Sequence, residues 1–176
     1  MHPVTTRLAW LLAGLAWAGR SLLEFARPDY YEPVTLGDWL AVASFSMAWL
    51  LSAIAVLLLS REVGYRVVRI LGWVFAIAAI VTGLANAVED ALGQSWGGMP
   101  YVVGFFIAWL TLVPLAVVIW RAGSRRMAIL PVALFASIAL FNSGGGLIIL
   151  AVAMAFAVAP HWFRSGESAD MTTGRT

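Results

Sequence analysis

Apolar residues run through this chain in long blocks, interrupted at short intervals by charged or turn-forming residues. Six blocks result, at 6–25, 38–60, 66–91, 99–120, 124–141 and 147–163. Each of the first four holds about 20 residues or more, which at a rise of about 1.5 Å per residue crosses roughly 30 Å of hydrocarbon. The region 124–163 needs dividing, because as one helix it would be about 60 Å long. Its middle reads Asn142, Ser143, Gly144, Gly145, Gly146. Three successive glycines oppose helix continuation and permit a tight reversal. Two short helices joined by a turn are therefore expected, the alternative being one full span plus a re-entrant or interfacial segment. The fold class predicted is all-α, a polytopic transmembrane bundle of six helices. The polar, aperiodic stretch 166–176 predicts a disordered cytoplasmic tail.

Composition turns this pattern into a statement about solvent. Of 176 residues, 62% are hydrophobic and only 11% charged, about half the charged share of a typical soluble domain. A soluble fold of this size has too little interior to hide so much apolar surface, so lipid is the expected surroundings. Arg7 followed by the apolar run 8–18 has the order of a signal peptide. Trp10, Trp17 and Arg20 fit a cleavable region poorly, and the run is read as an uncleaved first helix.

Charge supplies a second test of the division. With the N-terminal side taken as inside, the inner segments carry Arg7, Arg61, Arg66, Arg69, Arg121, Arg125, Arg126, Arg164 and Arg175, with Glu62, Glu167 and Asp170. The outer segments carry Arg20 and Arg27 against Glu24, Asp29, Glu32, Asp38, Glu89 and Asp90. Nine arginines against two is a strong positive-inside bias. With four or five spans in this frame, an arginine-rich segment would fall outside. The expected location is a cytoplasmic (inner) membrane, multi-pass, with both termini cytoplasmic. A net charge of +2 spread in this way does not suggest nucleic-acid binding.

The chain has no cysteine, which removes disulfides, thiolate ligands and thiol catalysis. His2 and His161 are far apart and make a poor metal or haem site. The glycine run is not a phosphate loop, because no Gly-Lys-Ser/Thr follows it. No metal site, catalytic residue or cofactor is identified.

One polar constellation stands out. Arg20 lies about 20 Å beyond Arg7 along the first helix, below the outer surface, with Glu24 one turn above it. In the third helix, Thr82, Asn86 and Glu89 or Asp90 follow at spacings of three and four and so share a face. Asn142 and Asp38 fall at the same level. An ionisable group at membrane depth is a functional candidate by default. Arg20, Glu24, Asn86, Glu89, Asp90 and Asn142 are therefore a candidate ligand-binding cluster, or else a structural ion-pair cluster locking the first helix to the third. Trp17, Trp49, Trp73 and Trp109 lie deep in their helices and are candidates for an aromatic pocket, or simply for core or lipid-facing positions. Trp39, Trp96, Trp120 and Trp162 fall near helix ends, as interfacial belts require.

Gly72, Ala76, Ala79, Gly83 and Ala87 form a small-residue face, and Ala9, Ala13, Ala16 and Gly19 another, suited to close helix packing within the bundle or against a partner. Pro114, Pro131 and Pro160 fall within or at the ends of the fourth, fifth and sixth helices, where proline often marks a kink; a kink at Pro114 is read as a static bend, the alternative being a hinge in a transporter. Pro28, Tyr30, Tyr31 and Pro33 suggest an ordered outer loop. The expected function is that of a non-catalytic accessory or assembly subunit of a membrane complex. Its partners would be membrane lipids and either another membrane protein or further copies of itself. The alternatives are a small transporter or ligand-binding membrane protein using the outer cluster, and a membrane-embedded enzyme acting on a lipid-like substrate through Glu24 and Glu89.

Overall fold

The computed structural model describes residues 3–26, 33–93, 95–140 and 143–159. These residues form six helices: α1 (Pro3–Ala26), α2 (Leu36–Val63), α3 (Arg66–Asn86), α4 (Gly98–Arg121), α5 (Ile129–Ala139) and α6 (Gly146–Val158). No strand occurs among them. The helices stand where the apolar blocks put them, with two differences. Residues 124–128 form turns rather than the start of α5, and residues 87–91 form a π-helical turn rather than the last turn of α3. The expected positions of Asn142, Trp162, the tail at 166–176 and residues 27–32 lie outside the described residues.

Each helix packs on its chain neighbours, and α6 returns to pack on α1, closing a ring. The helices α2, α3 with its π turn, and α4 are long and apolar enough to cross a membrane. The α1 helix is 24 residues long, but it carries Arg7, Arg20 and Glu24. At 11 and 13 residues, α5 and α6 extend only about 17 and 20 Å.

Local chemistry sets the ends. Thr35 and Asp38 form a capping box on α2: the Asp38 carboxylate accepts from the Thr35 N–H at 2.7 Å, and the Thr35 hydroxyl accepts from the Asp38 N–H at 3.4 Å. Two orphan donors at the helix start are thereby satisfied. Gly64 ends α2 with φ of 81°, a left-handed conformation that glycine adopts without a Cβ penalty. Pro131 sits in the first turn of α5, where its missing N–H costs nothing.

The start of α6 is buried inside the ring and capped by its neighbours. The Gly146 N–H donates to the Ser21 hydroxyl of α1 at 3.0 Å, and the Ile149 N–H donates to the Ser137 hydroxyl of α5 at 3.1 Å. A Cβ at Gly146 would overlap the Trp17 carbonyl. The expected small-residue face of α3 packs internally against α2, Gly72 meeting Ser60 and Gly83 meeting the Ser46 carbonyl. The core inside the ring is apolar and aromatic, with Trp10, Trp17, Trp49, Phe75, Leu112 and Leu134 among its fully buried side chains.

Candidate functional site

The polar groups collect at the end of the ring where α1 finishes, α2 begins and α3 passes into its π turn. Arg20 is 8% exposed and forms an ion pair with Glu24 one turn later. Its guanidinium also stands 5.5 Å over the ring of Phe45 on α2, a cation–π contact strengthened by burial. Phe45 in turn meets Tyr101 of α4, with centroids 6.2 Å apart. Asp90 interacts electrostatically with both Arg20 and Glu89, and the Tyr101 hydroxyl with Asp90, Arg20 and Glu89. The guanidinium is thus ion-paired with Glu24 and lies within electrostatic reach of Asp90 and the Tyr101 phenol.

The π turn decides how the acids divide. Straight α-helical counting aligns Glu89 or Asp90 with Thr82 and Asn86. The wider turn at Ala87–Ala91 changes that register. Glu89 swings onto the start of α4, where its Oε1 lies 2.9 Å from the position a Cβ on Gly98 would take. A carboxylate at that place lies beside the positive end of α4. Asp90 stays within electrostatic reach of Arg20.

Asn86 is buried one turn deeper, and its amide donates to the Ser46 hydroxyl at 3.1 Å, tying α3 to α2. Thr82 donates back to the Ala78 carbonyl at 2.8 Å within its own helix. Asp38 reaches the same level, but its Oδ2 accepts from the N–H groups of Val34 and Thr35 and from the Thr35 hydroxyl. Its work there is capping. No group of three His, Asp or Glu side chains placed to hold a metal ion occurs among the described residues.

The deep tryptophans separate. Trp17 and Trp49 meet edge to face at 5.4 Å, and Trp17 donates to the Ser52 hydroxyl at 3.0 Å. Phe105 links Trp49 (5.7 Å) to Trp109 (6.3 Å), and Trp109 stacks on Phe135 at 4.8 Å while donating to its carbonyl at 3.2 Å. These rings form a continuous aromatic seam from α1 through α2 and α4 to α5, in mutual contact. Trp73 does not belong to it: it is 51% exposed on the outer face of α3. Every other side of α3 is apolar too, so a lipid-facing tryptophan carries no sequence mark distinguishing it from a core one.

Sequence reasoning missed Ser46, Ser52 and Phe45 of α2, Tyr101 of α4, and the capping serines Ser21 and Ser137. A signal for the α2 residues exists. Asp38, Ser46, Ser52 and Ser60 are the buried polar residues of that helix, and they recur every six to eight positions along one inward face. No match to this chain is found among protein families, curated proteins or solved structures.

Proposed function

We propose that this chain is a multi-pass protein of a cytoplasmic membrane, with all six helices in the bilayer and both termini inside, acting as a non-catalytic accessory or assembly subunit of a membrane complex. The observation that carries the reading is how the candidate polar residues are used. Glu24 holds Arg20, Glu89 sits on the start of α4, Asp38 caps α2, and Asn86 fastens α3 to α2. The Asn86 contact joins two helices, those of Asp38 and Glu89 serve helix starts, and the Arg20–Glu24 pair stays within α1, uses that suit a scaffold. The acid pair an enzyme would require is divided, since Glu24 serves Arg20 and Glu89 serves α4.

The outer surface of the helices supports placement in a membrane. The exposed side chains of α3 and α4 include Ile70, Trp73, Ile77, Leu84, Val103, Phe106 and Leu110, and no charged residue falls between Arg69 and Glu89 or between Gly98 and Arg121. Exposed apolar surface of that height suits hydrocarbon. Exposed Arg61, Arg66, Arg69, Arg121 and Arg125 gather at the opposite end from Glu24, Glu89 and Asp90, in the sense the positive-inside rule demands.

A second reading has one observation in its favour. The outer cluster holds more carboxylate than cation, and an outward-facing site of that kind suits a cationic or hydrogen-bonding ligand. Native mass spectrometry after gentle extraction from the host membrane separates the two. A partner protein at fixed stoichiometry is the expected result. A lone chain or homo-oligomer carrying a small molecule would overturn the subunit reading in favour of the ligand-binding one.

A further inference from the structure

We infer that the outer groove between α3 and α4, at its arginine-rich end, holds one anionic phospholipid, with the phosphate between Arg66 and Arg121 and an acyl chain along the groove; the inference rests on the membrane reading above. The two helices run antiparallel and approach closely where Gly104 meets α3: a Cβ there would lie 2.7 Å from the Thr82 Oγ1 and 3.0 Å from the Ala78 carbonyl. From that crossing, Arg66 lies about 21 Å and Arg121 about 26 Å toward the same end. The two guanidiniums therefore start within about one helical turn of the same level. Both residues are exposed, and neither forms an ion pair among the described residues.

The surface leading away from them is apolar and fits a chain. Ile70, Val74 and Ile77 lie on the outer side of α3 next to the α4 contact, at 53%, 41% and 58% exposure. By helical periodicity Ile107, Leu110 and Pro114 flank the α3 contact on α4, all exposed. Pro114 faces the level of Ile70, and its compact ring leaves the strip open. Arg61, Arg66, Arg69, Arg121, Arg125 and Arg126 share this end, and the acid among the described residues there is Glu62, on α2 rather than in the groove. A pair of planar five-donor forks suits a phosphate diester. A free phosphate would use the arginines and leave the apolar strip without a role, so the lipid is the occupant that uses both.

The test is lipid retention by the purified, delipidated full chain in mild detergent, read by native mass spectrometry with phosphatidylglycerol, phosphatidylcholine or inorganic phosphate added. One phosphatidylglycerol per chain should be kept at least about tenfold more strongly than phosphatidylcholine, and inorganic phosphate should not displace it. R66Q/R121Q should bring phosphatidylglycerol down to the phosphatidylcholine level, whereas R61Q/R125Q, which removes the same charge from elsewhere on the rim, should not. V74W, which fills the strip and leaves every charge in place, should also weaken retention. Equal retention of the two lipids, equal losses in both double variants, or displacement by inorganic phosphate would each overturn the site. A chain recovered in the aqueous fraction without detergent would instead overturn the membrane reading on which it rests.

Discussion

At the outer end one guanidinium serves two carboxylates, Glu24 through an ion pair and Asp90 electrostatically, and that ratio orders the consequences of removing each. Arg20→Gln leaves Glu24 and Asp90 without their common cation. Thermal unfolding in detergent is expected to show a loss of about 3–5 kcal/mol, the cost of stranding buried charge. Glu24→Gln leaves Asp90 still near Arg20 and should cost less, about 2 kcal/mol. Equal losses would mean that Arg20 depends on Glu24 alone. One turn deeper, the Asn86–Ser46 bond should appear as a coupling of about 0.5–1.5 kcal/mol in an N86A/S46A double-mutant cycle. Additive losses would mean that the hydrogen bond does not join α3 to α2. The pairing of Arg20 with Glu24 was legible from spacing alone, because one helical turn separates them. Which acid at the end of α3 comes near it was not, because a π turn shifts the register by an amount that no residue pattern announces.

At the scale of elements, the six helices were legible because lipid-length apolar blocks and turn residues alternate so plainly. The Thr35 to Asp38 spacing holds a capping box, which went unread, so that the second helix was started at 38 rather than at Leu36. Helix orientation was harder to read. In a helix apolar on every side, periodicity cannot say which residues face neighbours, and for this reason Trp73 was grouped with tryptophans it never meets. The placing of α6 depends on two features that sequence shows only weakly, a glycine without space for a methyl group and serines that cap a helix not their own. Gly146→Ala should separate α6 from α1 and lower stability by about 3 kcal/mol, and Ser21→Ala by about 1 kcal/mol. Both are read from thermal melts. A Gly146→Ala melt indistinguishable from wild type would show that α6 does not seat against the Trp17 carbonyl.

For the whole molecule, the charge distribution makes a prediction that the composition makes easy to test. The chain has no cysteine, so each introduced thiol is the sole target of a thiol reagent. Ser95→Cys, between α3 and α4, should react with an impermeant maleimide added outside intact cells. Ser124→Cys, between α4 and α5, should react only after the membrane is opened. The reverse pattern would invert the topology, and equal labelling of both from outside would remove the α4 span.

The ring is also uneven in height. Its α3–α4 side presents helices of 21 and 24 residues, its α5–α6 side helices of 11 and 13. Embedded as proposed, the molecule would meet full bilayer thickness along one flank and only about half of it in helix along the other. Lipid beside α5 and α6 must then thin, or the polar turns must be drawn inward, at a cost of fractions of a kcal/mol for each ångström of mismatch. That strain falls when another thin-sided protein replaces the lipid. Lateral association in the membrane would therefore be biased toward this flank, even without any specific contact to drive it.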